Sequence, residues 1–422
     1  MNRPDIRRLP KRGDPQEAQK KLLEAVQSKV LTSESAALAD AVGRILAKDI
    51  YANINIPAYD KTFIDGYAIN PQTTAEASPT KPVIFKIIGK LFPSDYPTNV
   101  QVALGETVYV ATGSAIPKGA FSTVKVEETR LNGDQIEIVR PIKPGEGIIP
   151  IGDDVKEGSL LLGRRHVLRP QDIGLLASIG LAEAEVFKKP VVAILSGGDE
   201  LIKQSQKNPA KFPNNYALVV AGLAEELGAE AELKGIMPDS LELVEGRISE
   251  ALEGSDIVVT IGGSSVGVKD FVPDAVSRLG QPGVVVQGIN LRPGAVSGFG
   301  IVKGKPVVML PGHIGSCIAG FYLFVAPLIS QFSGLQEEGM QPTLPAELSE
   351  AIDSGPQFRF LLLSLKRAES RLLASPVEGG SSALTTIVRA NGYAVIPPHT
   401  NLSKGAAIDV QLFCKLETAQ MS

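Results

Sequence analysis

The sequence predicts a multi-domain protein of the α/β and β class, built on a doubly wound, mostly parallel α/β domain. Three observations predict it. From residue 190 onward, apolar strand-like runs alternate with amphipathic helical ones, the signature of a parallel sheet covered on both faces. Between residues 51 and 145, short apolar runs alternate with Pro and Gly, as in a small β domain. Beyond Gly334, short β runs return. The 422 residues suit about three domains at ~150 residues each.

The elements follow in chain order. Asp14 caps and Pro15 opens a helix over 15–29. Residues 34–49 read as a second short helix that exits into extended chain. In the β region, TVKVEETR and QIEIVRPI flank Leu131-Asn132-Gly133-Asp134, a hairpin turn signal. Residues 146–187 are Gly-rich and then helical, a linker layer. PVVAILS, AEAELKGIMPD, DIVVTIGG, PGVVVQGINLRPG and KPVVMLPG read as strands. ALVVAGLAEELG, LELVEGRISEALEG, VPDAVSRLG and SCIAGFYLFVAPLISQF read as helices. FRFLLLSLK, RLLASPVE, GYAVIPP and AIDVQLF form the C-terminal β part. The expected boundaries are 1–50 with 146–187 for the linker domain, whose helix 15–29 packs on the α/β domain. The β domain takes 51–145, the α/β domain 188–333 and the C-terminal β domain 334–422.

Composition narrows the function classes. The chain is 44% hydrophobic and 21% charged, enough apolar material for real cores. A net charge of -4 lacks the basic footprint of a nucleic-acid binder, so no nucleic-acid partner is expected. Cys317 and Cys414 sit in no CxxC and near no histidine pair, and read as buried free thiols of a reducing compartment. Residues 1–14 are basic with no apolar stretch behind them, unlike a signal peptide. The apolar run Cys317 to Ile329 is shorter than the ~20 residues of a membrane span and contains Pro327, so it reads as a buried helix. A cytoplasmic, membrane-free protein is expected.

Ligands of open α/β sheets bind outside the carboxyl ends of the strands, where the winding reverses. Four strand ends carry telling residues: Ser196 to Glu200, Pro238-Asp239, Thr260 to Gly267 with Asp270, and Leu310 to Ser316. Gly262 and Gly263 permit positive φ and close approach to an anion. Backbone amides and the helix that follows supply positive potential, and Ser264 and Ser265 add hydroxyl donors. Taken alone, such a turn is more often unliganded. Asp199, Glu200, Asp239 and Asp270 converging on one rim shift the balance, because carboxylates crowding an anion require a hard cation; Mg²⁺ is implied. Each acid taken singly reads equally as a helix cap or solvated turn.

Two decoys stand beside this reading. Gly263-Ser264-Ser265-Val266-Gly267 matches the G-x-S-x-G nucleophile elbow, with His313 as the one plausible base, but no oxyanion loop of the expected kind precedes it. Gly298-Phe299-Gly300 with Gly304 resembles part of a dinucleotide motif, yet lies in a hairpin rather than a turn into a helix.

Several ordered motifs resemble the MoeA and gephyrin E-domain family of molybdenum-inserting enzymes. DIVVTIGGSSVGVKDF is similar to its T-x-G-G-x-S-x-G-x-x-D motif, and Tyr59 to Ala68 to its D-x-S-x-M-D-G-Y-A signature, with Thr62 for Ser and Ile64 for Met. Ala111-Thr112-Gly113 with Pro117, Gly152-Asp153-Asp154-Val155, Ser196 to Leu201, Leu291 to Gly294, Leu310-Pro311-Gly312, Gly380-Ser381-Ser382 and Ala390-Asn391-Gly392 follow in the family's order. The resemblance covers about residues 15 to 415. It implies an inserted β domain, a C-terminal β-barrel-like domain, and an elongated homodimer with its active site at the subunit interface. It implies a molybdopterin molybdotransferase taking adenylylated molybdopterin and molybdate, releasing AMP with Mg²⁺ assistance. An upstream molybdopterin adenylyltransferase is the implied partner.

By that resemblance Gly262, Gly263 and Ser265, with Pro311 and Gly312, would hold the phosphate or pterin. Asp239 and Asp270 would hold Mg²⁺, and Glu200 would order the surrounding waters. Asp65, Thr112 and Asp154 would close the site from the dimer interface. Arg292, Arg359 and Ser381 would hold the oxyanion, although on spacing alone Arg359 reads equally as a salt-bridged strand residue. Two departures stand out. The family's K-P-G-K-P is Arg292-Pro293-Gly294-Ala295-Val296 here, so a lysine is missing. Its L-P-G-N-P-x-S is Leu310-Pro311-Gly312-His313-Ile314-Gly315-Ser316, so a proline is missing. Tungstate in place of molybdate, or a cofactor-binding scaffold without metal insertion, are the alternatives these departures raise; a serine hydrolase is the remote one.

Overall fold

A computed structural model describes residues 12–27, 32–203, 208, 210–264, 267, 270–335, 342–368, 371–380 and 382–413. Ser265, Ser381 and Cys414 lie outside the described residues. The chain forms two compact units. One takes in the described parts of Met1–Ala36, Gly43–Ala47 and Glu185–Ser422, the other Ala37–Val42 and Lys48–Ala184.

The second unit is built on a six-stranded mixed sheet in the order Ser122–Lys125, Gly66–Ile69, Glu106–Val110, Val83–Leu91, Gln135–Ile138, Thr129–Asn132. Alternation places Tyr67 and Ile69 in one core with Phe85, Val124, Ile136 and Ile138, and Ala68 in another with Leu91, Val108 and Val110. The expected hairpin is present: Asn132 pairs Gln135 across Gly133-Asp134, with Gly133 at φ +62°. The helix Pro170–Ser178 falls where its pattern predicted.

The helix expected over 34–49 does not form. Ser33–Ala37 is a strand, Leu38–Asp40 a single 3₁₀ turn, and Ile50–Tyr51 a short strand. Backbone donors there find distant partners instead: the Leu38 amide bonds the Ala182 carbonyl at 3.0 Å and the Ala47 amide that of Glu185 at 2.9 Å. Periodicity over a short alanine-rich run cannot reveal such partners.

The α/β sheet of the first unit also has six strands, in the order Glu230–Met237, Val191–Gly197, Ile257–Ile261, Lys305–Leu310, Gly298–Val302, Pro282–Gln287. The first four run parallel, and Gly298–Val302 runs antiparallel to both its neighbours, so Pro282–Gln287 points the same way as the first four. Val192, Ile194, Ile257 and Val259 pack with the helices Tyr216–Glu226 and Ile314–Ser333. Ala193, Leu195 and Val258 pack on the opposite face, with Leu241–Gly254 and Val272–Leu279. Strands covered on both sides need apolar residues at every position, which is why they read as continuous runs. PGVVVQGINLRPG, expected as one strand, is two. Pro282–Gln287 ends the α/β sheet, while Leu291–Arg292 pairs in parallel with Phe358–Ala368 of the C-terminal sheet.

That C-terminal sheet closes on itself through pairing of Phe358–Ala368 with Gly392–Ile396, forming a barrel around Leu348, Leu361, Leu363, Leu365, Ala374, Ile396 and Val410. Ile314–Ser333 is long and apolar enough to cross a membrane, but 89% of its apolar window is buried inside the protein. Pro327 within it has no amide to offer the Leu323 carbonyl one turn earlier. Gln19 Nε2, from the helix Pro15–Ala25, donates to that carbonyl at 2.8 Å. Cys317 is a free thiol in the same helix, and burial pushes its pKa up to about 12.

Candidate active site

The chain runs from Val191–Gly197 outward to Glu230–Met237 and then returns to Ile257–Ile261 on the other side of Val191–Gly197. The winding therefore reverses between Val191–Gly197 and Ile257–Ile261, at their carboxyl ends. A cavity of about 710 Å³ opens there, walled by Ser196, Gly197, Gly262, Gly263, Ser264 and Pro311 among others. Glycine is required by geometry. Gly262 has φ +83°, and a Cβ on it would stand 2.9 Å from the Gly197 carbonyl oxygen. Gly263 has φ +67°, and a Cβ on Gly312 would lie 3.7 Å from Gly262 Cα. Three strand ends thus meet backbone to backbone, which leaves main-chain groups bordering the cavity. The turn is held by the Gly262 amide donating to Leu310 at 2.9 Å and the Val272 amide donating to Gly263 at 3.1 Å. Ser196 Oγ donates to Asn214 Oδ1 at 2.7 Å and fixes the adjoining wall.

Two carboxylates reach this cavity, Glu200 and Asp270. The Glu200 carboxylate folds against Gly198, where any Cβ would collide with it. Asp270 Oδ2 accepts the Gly267 amide at 2.6 Å. Asp199 and Asp239 share the rim but stand beside each other, the Asp239 amide donating to Asp199 Oδ1 at 3.2 Å, and are not among the lining residues. Among the described residues no three His, Cys, Asp or Glu side chains form a metal-holding group.

A second cavity of about 840 Å³ is lined by Arg292, Arg359, Asp353, Ser316, Gly379 and Thr386 among others. Arg292 and Arg359 are direct cross-strand partners in the parallel pair that joins the α/β domain to the barrel. Arg359 Nη1 donates to the Asp353 carbonyl at 3.0 Å, not to a carboxylate. A Cβ on Gly379 would strike Thr386 Oγ1, a buried hydroxyl with no hydrogen-bond partner among the described residues. Val296, Pro311 and His313 line both cavities.

On the other unit, Asp65 and Thr112 are exposed and joined: Asp65 Oδ1 accepts the Thr112 amide at 2.7 Å and its hydroxyl at 3.0 Å. Those two bonds hold the Asp65 carboxyl below its ordinary pKa. Asp154 is exposed in a turn whose amide donates to the Ile56 carbonyl at 3.0 Å.

Comparison with known proteins places this geometry. Residues 14–180 match the MoeA N-terminal region (domain I and II), 193–331 the "Probable molybdopterin binding domain", and 345–413 the MoeA C-terminal region (domain IV). The chain is 32% identical to a molybdopterin molybdenumtransferase of Bacillus subtilis (strain 168), over 90% of each chain. The chain belongs to the MoeA family. Two crystal structures of molybdopterin biosynthesis MoeA proteins from Pyrococcus horikoshii share the MoeA fold with TM-scores of 0.83 and 0.82. Their identities to this chain are 32% and 28%, covering 94% and 95% of it and 98% and 100% of theirs.

Within this MoeA chain, the sequence-derived residues Gly262, Gly263, Glu200, Asp270, Pro311 and Gly312 share the switch-point cavity, and Arg292 and Arg359 the adjoining one. Asn214, Tyr216, Asp353, Gly379 and Thr386 also line these cavities and were not singled out. Asn214 and Tyr216 carried no signal beyond preceding and opening a helix. For Gly379 and Thr386 the visible trace was the glycine pair Gly379-Gly380 beside Ser381-Ser382.

Proposed function

We propose that this MoeA-family chain is a molybdopterin molybdenumtransferase. It inserts molybdate, or tungstate, into adenylylated molybdopterin in the cytoplasm, with release of AMP. The observation that carries the reading is the adjacency of two cavities on one rim, one walled by strand-end glycines and one by two arginines. A phosphoanhydride needs backbone donors and close approach; a tetrahedral dianion needs cations. Gly262 and Gly263 give the close approach, with Ser265 beyond them in sequence; the Gly262 amide is already engaged by the Leu310 carbonyl, so donation falls to Gly263. Arg292 and Arg359 answer the second need, with Ser381 joining them only by the family's motif order. Having the two stores side by side converts a bimolecular encounter into reaction between held partners.

Mg²⁺ keeps most of its waters and takes one or two carboxylates plus substrate phosphate oxygens. The carboxylates on the cavity wall suit that mode: Asp270, with Asp239 on the same rim, would hold the ion and Glu200 would order its waters. When bound it would screen the phosphoanhydride oxygens and so ease AMP departure. The ionised, anchored Asp65 with Thr112 and Asp154 would close the site from a second copy in a homodimer. A molybdopterin adenylyltransferase would supply the substrate. The scaffold and hydrolase readings are not favoured, since relatives matched over 90% of the chain or more, that of Bacillus subtilis among them, carry the transferase name.

The test follows AMP release from adenylylated molybdopterin with molybdate or tungstate and Mg²⁺. The wild type should release AMP. Asp270→Ala should lower the Mg²⁺-dependent rate by roughly 10²-fold or more, the scale of losing an electrostatic group in a preorganised site. Cofactor binding without any AMP release would favour the scaffold instead.

A further inference from the structure

The segment from Leu310 to Ser316 is the partition between the two cavities. Gly312 faces only the switch-point side, Gly315 and Ser316 only the arginine side, and Pro311 and His313 face both. Of the three residues common to both, Val296, Pro311 and His313, only His313 carries a polar side chain. It is exposed, directly precedes the helix beginning at Ile314, and its ring has no hydrogen bond among the described residues. Among the described residues, the other charged groups lining the two cavities it borders are Arg292, Arg359 and Asp353 on one side and Glu200 and Asp270 on the other. A tetrahedral oxyanion held by two neighbouring guanidinium groups still has oxygens turned away from them. The residue that could have supplied a further cation from the same turn is Ala295, which has no side-chain donor.

We propose that His313 is an oxyanion-contacting and specificity-determining residue: from the wall shared by both cavities it donates a ring N–H to the oxyanion held by Arg292 and Arg359. It thereby supplies the side-chain donor that Ala295 lacks and holds the oxyanion on the side facing the switch-point cavity. The inference rests on the transferase reading for its kinetic consequences, but not for oxyanion binding itself.

The experiment uses the full chain and two readouts. Calorimetry with molybdate or tungstate alone reports binding, and AMP release against molybdate concentration reports KM and kcat. His313→Leu should weaken molybdate binding and raise its KM by about tenfold, one hydrogen bond to a charged group, while kcat and the KM for adenylylated molybdopterin move by less than about twofold. His313→Asn, which keeps a donor, should lose less. Ala295→Lys in the His313→Leu background should restore molybdate affinity. Unchanged molybdate binding in His313→Leu, or a loss of kcat without a change in oxyanion affinity, overturns the proposal. Absence of AMP release in the wild type would defeat the transferase reading alone, because the calorimetric comparison still decides the role of His313.

Discussion

Gly262 shows how much can hang on one missing side chain. Its φ of +83° is a conformation in which an L residue is strained by about 1–2 kcal/mol, and a Cβ would press 2.9 Å from the Gly197 carbonyl oxygen. Gly197 ends the neighbouring strand, so the cost cannot be relieved by turning a flexible side chain. Gly262→Ala should therefore part the two strand ends that wall the cavity. We expect AMP release to fall at least about tenfold, the kinetic equivalent of ~1.4 kcal/mol, with the far-ultraviolet circular dichroism unchanged. Full activity in that variant would show that the close approach of the two strand ends is not needed.

At the scale of an element, the helix Pro170–Ser178 depends on one buried carboxylate. Asp172 is 4% exposed and accepts the Arg169 amide at 2.8 Å, Arg169 Nε at 3.0 Å and Nη2 at 2.9 Å, with His166 Nε2 at 2.7 Å. The Arg169 guanidinium, then His166 and the Arg169 amide, hold its pKa far below the ordinary carboxylate value against the opposing effect of burial. A depressed folded pKa means the stabilisation is full above the unfolded value of about 3.9 and is lost as pH falls through the folded one. Asp172→Asn should cost about 1–3 kcal/mol at neutral pH. In denaturant melts the gap to wild type should narrow below about pH 4, and a gap constant down to pH 2 would contradict the assignment. Elements whose signals are local were legible in the sequence. The Asn132-Gly133 hairpin and the helix Leu241–Gly254 fall where turn chemistry and 3.6-residue spacing put them. The misread run at 34–49 failed because alanines satisfy a helix pattern while its amides bond to residues more than a hundred positions away.

At the scale of the whole molecule, the proposed homodimer makes a prediction that single chains do not. If Asp65 of one copy serves a cavity that contains Asp270 of the other, two inactive variants can complement each other. Mixing Asp65→Asn with Asp270→Ala, after unfolding and refolding together, yields heterodimers with one intact site. Activity should return to about a quarter of wild type, as random pairing across an isologous interface gives. No recovery, with sedimentation showing dimers, would place both residues in one chain's site or remove one from it.

The sequence by itself determined what is local. Strands buried on both faces must be apolar throughout, tight strand-end turns must carry glycine, and a helix must find its caps, so the α/β class and the glycine turn at Gly262-Gly263 were readable without coordinates. Only the tertiary structure decided which of these came together. Strand order put Gly197 and Gly262 at the winding reversal, a two-residue parallel pair set Arg292 beside Arg359, and the exit from Lys305–Leu310 left His313 facing both cavities. Those neighbours are chosen by long-range pairing and by the packing of two cores, and neither leaves a period in the sequence to read.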